Sequence, residues 1–187
     1  MTTTKRNNIL QAALQLFVEH GFKGTSTSQI AKTAGVGTGT LFHHFKTKEE
    51  LIRALYLEVK FALAEELEAA LPEQGSHQEK LYAIWSAFVD WAVAHKAEYR
   101  FFRHCEATPY ISQEIRQQAE ARFAFIFVLF GEICAARKEQ NISQELLLDL
   151  FAGMMQGFIQ YLLKHPEIQA DQDIRKNAFA LCWQAIS

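Results

Sequence analysis

The sequence has only three cysteines, and their positions argue against a disulfide framework and against a zinc site. Cys105, Cys134 and Cys182 lie far apart and form no CxxC pair. An odd, scattered set is typical of reduced thiols and not of a disulfide framework. A zinc site needs clustered ligands, and nothing in the sequence has that spacing. We therefore expect no metal site and no cofactor.

Long hydrophobic runs are also missing. No run approaches the length of a membrane span, and residues 1–17 interleave polar with apolar side chains without a small-residue cleavage site. We expect neither a signal peptide nor a membrane anchor, and we expect a cytoplasmic location.

Strand-like patterns are absent as well. No long segment alternates polar and apolar residues, and no repeat or low-complexity stretch is present. Apolar residues recur instead at helical spacing along nearly the whole chain. Hydrophobic residues make up 49% and charged residues 21%, which is an ordinary globular balance. The sequence predicts an all-α fold of about nine helices, with a small N-terminal domain on a larger helical body.

The helices are delimited by capping and breaking residues. Thr47 and Glu50 form a capping box, Ser112 and Ser143 can each cap a later helix, and Pro72 and Pro166 follow the ends of two others. We expect helices over residues 5–18, 27–34, 38–44, 48–70, 77–94, 98–106, 112–138, 143–164 and 171–186.

Charge is divided unevenly along the chain, although its net value is only −2. Residues 1–60 carry eight Lys or Arg against four Glu, a net of +4, and the remainder carries a net of −6. A basic head on an acidic body is typical of a protein that contacts phosphates at one end only.

The segment from Gly21 to Leu51 is the most informative part of the sequence. Residues 34–36 join two short predicted helices at helix-turn-helix spacing. Small Ala31 lies where the two helices cross, and Gly35 lies where the turn needs a left-handed backbone. A small apolar core beneath the pair is supplied by Ile30, Val36, Leu41 and Phe45. The segment predicts DNA binding.

The same residues resemble the tetracycline-repressor (TetR/AcrR) family of bacterial one-component regulators. The likeness covers roughly residues 5–60, and its core reads GF-x-x-T-x-T-x-x-IA-x-x-AGV-x-x-G-x-LF-x-HF-x-x-K-x-x-L. Two positions depart from the family pattern: Gly37 replaces the usual Ser at the recognition-helix cap, and Phe42 replaces the usual Tyr.

The resemblance implies a homodimer whose last two helices pair with those of a second copy. It also implies a DNA-binding domain over residues 1–48 and an effector-binding and dimerisation domain over residues 49–187. Gly153 and Gly157, one turn apart in the penultimate helix, would allow close packing of backbones. The partners expected are double-stranded DNA with a palindromic operator and a small effector, with no membrane.

The candidate DNA contacts follow from which side of the recognition helix each residue occupies. Leu41 and Phe45 share one face, and both are apolar, so they should point inward. The basic cluster just past this helix suits the phosphate backbone, although a merely solvated face is the alternative. The candidate DNA-binding residues are Thr27, Thr38, Gly39, Thr40, Phe42, His43, His44, Lys46 and Lys48.

The second half of the chain is rich in aromatic residues, which favours an apolar or aromatic effector. At helical spacing each such residue is more often core than ligand contact. The candidate effector-binding residues are Trp85, Phe88, Phe102, Cys105, Phe123, Phe127, Met155 and Phe158, with Arg103, His104 or Gln156 for polar orientation.

The favoured function is a repressor that leaves a palindromic operator when a small apolar or aromatic effector binds. One alternative is a thiol-based redox sensor through Cys105, and another is an activator or architectural DNA-binding protein without an effector. We do not expect an enzyme, because adjacent His104 and Cys105 would point about 100° apart on a helix and no third group orients them.

Overall fold

The computed structural model describes residues 2–106, 108–136 and 142–187, with only the backbone of Thr2 and Thr3. Within these ranges every regular element is helical, which confirms the predicted all-α fold. The α-helices are α1 (Thr2–Gly24), α2 (Thr27–Thr33), α3 (Thr38–His44), α4 (Lys48–Ala70), α5 (His77–Ala94), α6 (Lys96–Glu106), α7 (Gln113–Glu120), α8 (Ala124–Ala136), α9 (Gln144–Lys164) and α10 (Gln172–Ile186).

One predicted helix is divided in the structure. The segment expected over 112–138 consists of α7, a 3₁₀ turn at Ala121–Phe123, and α8. Glu120 and Ala124, on either side of the turn, keep right-handed helical backbone angles, so the backbone tightens locally between them. Its expected end at Lys138 lies outside the described residues.

The end of α1 is shaped by a glycine. Gly21 has φ 71° and ψ 172°, which interrupts the helical backbone before the last residues of α1. A positive φ of this size is one that glycine adopts at little steric cost. The chain thereby changes direction just ahead of α2.

Contacts divide the chain into two compact units. The first contains residues up to 62 together with 95–119, and the second contains 63–94 and 120–187. In the first unit α6 packs on α1, where the ring of Phe101 lies 6.2 Å from that of Phe17 and 5.9 Å from that of Phe22. The predicted boundary at residue 48, between the DNA-binding domain and the effector-binding and dimerisation domain, is defined by function. Contacts do not test it, and it stays a prediction.

The second unit has an aromatic centre made by α5, α9 and α10. Trp85 is fully buried, and its ring stacks on Phe158 at 5.2 Å and meets Phe179 at 5.7 Å. Buried Arg175 pairs with Asp90 and donates from Nε to the Gln169 carbonyl at 2.8 Å. A charge removed from water in this way needs such partners.

Helix α9 corrects the expectation that nothing reaches the length of a membrane span. By length and composition alone it is long and apolar enough to cross one, and only 22% of its most apolar window is buried. The sequence reading looked for an uninterrupted apolar run, whereas α9 tolerates Glu145 and Asp149 near its start. One such helix is weak evidence for a membrane, because helices of soluble proteins meet the same two criteria.

Candidate nucleic-acid interface

Helix α2 begins with a capping box that the sequence reading did not identify. The Ser26 hydroxyl accepts the Gln29 N–H at 3.2 Å, and the Gln29 side-chain oxygen accepts the Ser26 N–H at 2.8 Å. The Ser-x-x-Gln spacing is the sequence signature of this motif. It fixes the start of α2 and thereby the position of Thr27, which is half-buried.

The turn between α2 and α3 has the predicted geometry. Gly35 has φ 66°, the left-handed conformation expected of it. The Gly35 N–H donates to the Lys32 carbonyl at 3.1 Å and the Val36 N–H to the Ala31 carbonyl at 3.0 Å. Ala31 and Ile30 are buried beneath the turn. The two short helices are therefore held at a fixed angle.

The inward and outward faces of α3 are also as predicted. Leu41 and the residue that ends the helix, Phe45, are buried. Thr38, Gly39, His43 and Phe42 are exposed, the last at 41%, while Thr40 and His44 are half-buried. Gly37 caps α3 without a side-chain hydrogen bond. The exposed face is thus polar or aromatic, with little side-chain bulk at its beginning.

Thr25, between α1 and α2, links α1 to α4, a role that the sequence did not predict. It is buried, and its hydroxyl contacts the Leu16 carbonyl at 3.0 Å and the Gly21 carbonyl at 2.9 Å. Its own carbonyl accepts a hydrogen bond from Lys48 Nζ at 2.7 Å. The only signal in the sequence is a threonine between two predicted helices. Such threonines are too common for this role to be recognised from the sequence.

The capping box at the start of α4 differs in one arm from the prediction. Thr47 Oγ1 accepts the Glu50 N–H at 3.0 Å, as expected. Glu50 Oε2, however, accepts the N–H of Lys46 at 2.7 Å instead of that of Thr47. The carboxylate reaches one residue further back because the Lys46 amide, outside the helix, also lacks a helical partner. This contact fixes the backbone of Lys46, whose side chain is exposed.

Basic side chains near α3 differ in whether they have partners within the protein. Lys46 and His43 are exposed next to α3, and the rings of His43 and His44 meet edge to face at 5.5 Å. Arg6 instead pairs with Glu58 and lies over the Phe45 ring, 5.5 Å from its centre. Lys46 is therefore directed to solvent near the recognition helix, while Arg6 has structural partners.

The candidate effector residues are distributed over both compact units. Phe102 and Cys105 belong to the first unit and are buried. The other six belong to the second, where Trp85 and Phe158 stack on each other but Phe127 is 44% exposed. Tyr82 and Phe179, which also contact Trp85, were not among the candidates. Their helical spacing alone did not distinguish them from other core positions.

Burial makes the Cys105 thiol unsuited to redox sensing. Desolvation, together with the neighbouring Glu106 charge, raises its pKa to about 12, with Arg116 opposing. The thiolate is the reactive form, and well below pH 12 the neutral thiol predominates. The pKa of Cys182 is also raised, mainly by burial.

We predict that Cys105 resists alkylation in the folded protein. With iodoacetamide at pH 8, its modification should be at least about 100-fold slower than in urea-unfolded protein, because both thiolate and access are lacking. Mass spectrometry of the Cys105 peptide at timed intervals measures the rate. Equal rates in folded and unfolded protein would revive the redox alternative.

No cluster that could hold a metal is present in the described part of the chain, taking three or more His, Cys, Asp or Glu as the criterion.

Three clefts open at the surface of the two units, and none is lined by the candidate DNA-binding or effector-binding residues. One of about 220 Å³ lies between α1 and the end of α2, lined by Asn8, Gln11, Ala12, Gln15, Thr33 and Ala34. The other two lie in the second unit and border α5 and α10.

Comparison with known proteins agrees with this geometry. The family described as bacterial regulatory proteins, tetR family, matches residues 9–55. The crystal structure of a TetR family transcription regulator from Shewanella sp. PV-4 superposes with a TM-score of 0.88 at 37% identity, covering 97% of both chains.

Curated relatives match over shorter stretches. The HTH-type transcriptional repressor KstR2 of Mycolicibacterium smegmatis is 28% identical over 66% of this chain and 56% of its own length. The fatty acid metabolism regulator protein of Bacillus subtilis is 34% identical over 44% of this chain and 42% of its own length. The chain thus spans about half the length of these relatives. Together with the full-length structural match, the helix-turn-helix geometry shows that the chain belongs to the TetR family of bacterial transcription regulators.

Proposed function

We propose that the protein is a homodimeric repressor that binds a palindromic operator through α3 and acts in the cytoplasm. The observation that carries this proposal is the outward face of α3, where Thr38, Gly39, Phe42 and His43 are exposed while Leu41 is buried. Thr38 and Thr40 can hydrogen-bond base edges or phosphates, and Phe42 can pack on a thymine methyl. The KstR2 relative is a transcriptional repressor, which favours repression over activation.

The backbone contacts are assigned to the residues around this face. Lys46 and His43 are exposed beside α3, where Lys46 supplies positive charge and the His43 ring supplies an N–H donor for phosphates. Thr27 at the start of α2 and half-buried His44 are further candidates. Lys48 keeps its place among them, because an ammonium group has three donors and the Thr25 carbonyl occupies one.

The dimer face is proposed to be the exposed stripe of α9 with the adjacent surface of α10. Leu146, Leu150, Gly153, Gly157 and Tyr161 recur every three or four residues, and all are exposed. A Cβ added at either glycine would meet nothing within 4 Å in one chain, which leaves room for a second backbone.

On α10, Leu181 is 67% exposed. Exposed apolar side chains on two neighbouring helices are typical of a subunit interface. The α9 and α10 helices of two copies would form a four-helix bundle. The same burial in a second copy also accounts for the apolar composition of α9 without a membrane.

Release is proposed to follow binding of a small apolar or aromatic effector in the second unit. Helix α4 contributes residues to both compact units, so a shift of α4 would change the position of the DNA-binding head. By linkage, DNA must weaken effector binding by the same factor as the effector weakens DNA binding. The aromatic centre around Trp85 supports an apolar ligand.

The experiment that tests DNA recognition is selection of bound duplexes from a random pool with the purified protein. We expect enrichment of an inverted repeat whose half-sites lie about one helical turn apart or a multiple of it. A folded dimer that enriches no sequence would exclude an effector-free operator complex.

We predict that Lys46→Gln weakens binding to all duplexes about equally. Loss of one phosphate contact in each half-site, two per dimer, should reduce the slope of log affinity against log salt by about two, with sequence preference unchanged. Fluorescence anisotropy titrations at several salt concentrations measure both quantities. Lys80→Gln, which removes the same charge from the second unit, is the control and should leave the slope unchanged. A Lys46→Gln slope equal to that of the wild type would exclude this contact.

A further inference from the structure

Trp85 carries a buried donor without a protein partner. Its side chain is fully buried, and no acceptor in the described ranges lies within hydrogen-bonding distance of its indole Nε1–H. Buried tryptophan N–H groups ordinarily have a partner, because desolvating a donor without one is unfavourable. An incoming molecule with an acceptor would satisfy this group.

The surroundings of Trp85 restrict what that molecule can be. The Trp85 ring is stacked with Phe158 at 5.2 Å and with Tyr82 at 6.3 Å, and Phe179 meets it at 5.7 Å and 60°. These flat apolar surfaces favour another flat ring. A charged acceptor here would lose its hydration to aromatic carbon, so a neutral acceptor is favoured.

A cleft borders the same rings. It has a volume of about 300 Å³ and is lined by Gln78, Glu79, Tyr82, Lys176, Phe179 and Ala180. Tyr82 and Phe179, which meet edge to face at 5.0 Å, both line this cleft and contact Trp85. The cleft is therefore separated from the Trp85 ring by these two side chains, and their movement would open it toward that ring. Glu79 and Lys176 contribute one charge of each sign to the lining, which therefore favours neither sign of ligand.

We propose that the cleft and Trp85 form a binding site for a flat aromatic molecule with a neutral oxygen acceptor, such as a ring carbonyl, that receives the Trp85 Nε1–H. The inference rests on the proposed function, because it specifies the effector class to which the repressor responds. It also makes Trp85 a specificity-determining residue: the same ring system without the acceptor would leave the donor unpaired.

Matched ligand pairs test the proposal on the full-length protein. The probes are fluorenone with fluorene and xanthone with xanthene, each pair differing in the carbonyl. Calorimetric titration should show at least about 10-fold tighter binding of at least one ketone than of its parent. In ¹H–¹⁵N spectra that ketone should move the Trp85 indole N–H resonance downfield. Weak or equal binding across both pairs would overturn the proposal.

Two variants locate the hydrogen bond. Trp85→Phe keeps an aromatic ring and removes the donor, so the preference for the ketone should disappear while the parent hydrocarbon still binds. Trp183→Phe is the control. It removes the half-buried indole of α10, and the variant should keep the preference for the ketone. If Trp85→Phe is too unstable to titrate, the indole shift in the wild type decides: an unmoved Trp85 resonance in the ketone complex would refute the assignment.

The outcome separates this inference from the proposed function. A protein that enriches an operator but shows no ketone preference retains its DNA-binding role and loses this site. A protein that binds the ketone through Trp85 without releasing its operator retains the site, and the ligand-released mechanism fails.

Discussion

The Leu150→Glu variant is expected to be monomeric and to lose at least about 100-fold in operator affinity. Leu150 is 50% exposed and belongs to the apolar stripe of α9, where it lies between Leu146 and Gly153. A symmetric interface places the residue twice, so each dimer would bury two unpaired carboxylates. Each DNA-binding head would then act alone and lose the high effective concentration that the second half-site provides.

Analytical ultracentrifugation and anisotropy titration with the selected operator measure the two effects. Leu150→Met, which keeps an apolar side chain of similar size, should remain dimeric with unchanged affinity. Circular dichroism should show the helical content of the wild type in both variants, because the Leu150 side chain is half exposed within its own protomer. A Leu150→Glu protein that stays dimeric would place the interface elsewhere on the surface.

The Gly39→Leu variant is expected to fold normally and to lose at least about 100-fold in operator affinity. Gly39 lies in the first turn of α3, and a Cβ added there meets nothing within 4 Å. Leucine also has a helix propensity about 1 kcal/mol better than glycine, so thermal stability should be equal or higher. On DNA, the new side chain would occupy the space through which α3 approaches the base edges.

Differential scanning calorimetry and operator titration separate these two effects. Gln118→Leu, which adds the same apolar side chain at an exposed position of α7, is the matched control and should keep full affinity. Gly39→Ala should give an intermediate loss, since its methyl group is small. Wild-type affinity in Gly39→Leu would mean that the start of α3 does not face the groove.

The sequence predicted the fold well because helices dominate it and their signals are local. The 3.6-residue spacing of apolar side chains, the Gly35 turn and the Ser143 cap each specify their own element, and the structure has Ser143 Oγ accepting the Leu146 N–H at 3.2 Å. The tightening at Ala121–Phe123 was not predictable in this way, because the residues on both sides continue the helical pattern. The sequence analysis did not identify α9 as long and apolar enough to span a membrane, because Glu145 and Asp149 interrupt its apolar residues.

The candidate interface was predictable where a residue's role depends on its own helix. Leu41 points inward and Phe42 outward because they are neighbours on one short helix. Thr25 was missed because its role depends on carbonyls of Leu16 and Gly21 that the fold brings to it. The Trp85 donor was not recognisable either, since an unpaired N–H becomes evident only once all neighbours are placed.

The most direct test of α3 recognition compares base preferences of the wild type and Thr38→Ala, each selected on the same random duplex pool. Thr38 is exposed at the first position of α3, and alanine removes its hydroxyl and methyl without burying anything. Preference should weaken at one base pair in each half-site, placed symmetrically, and stay unchanged elsewhere. An identical preference profile for both proteins would contradict base recognition through this face of α3.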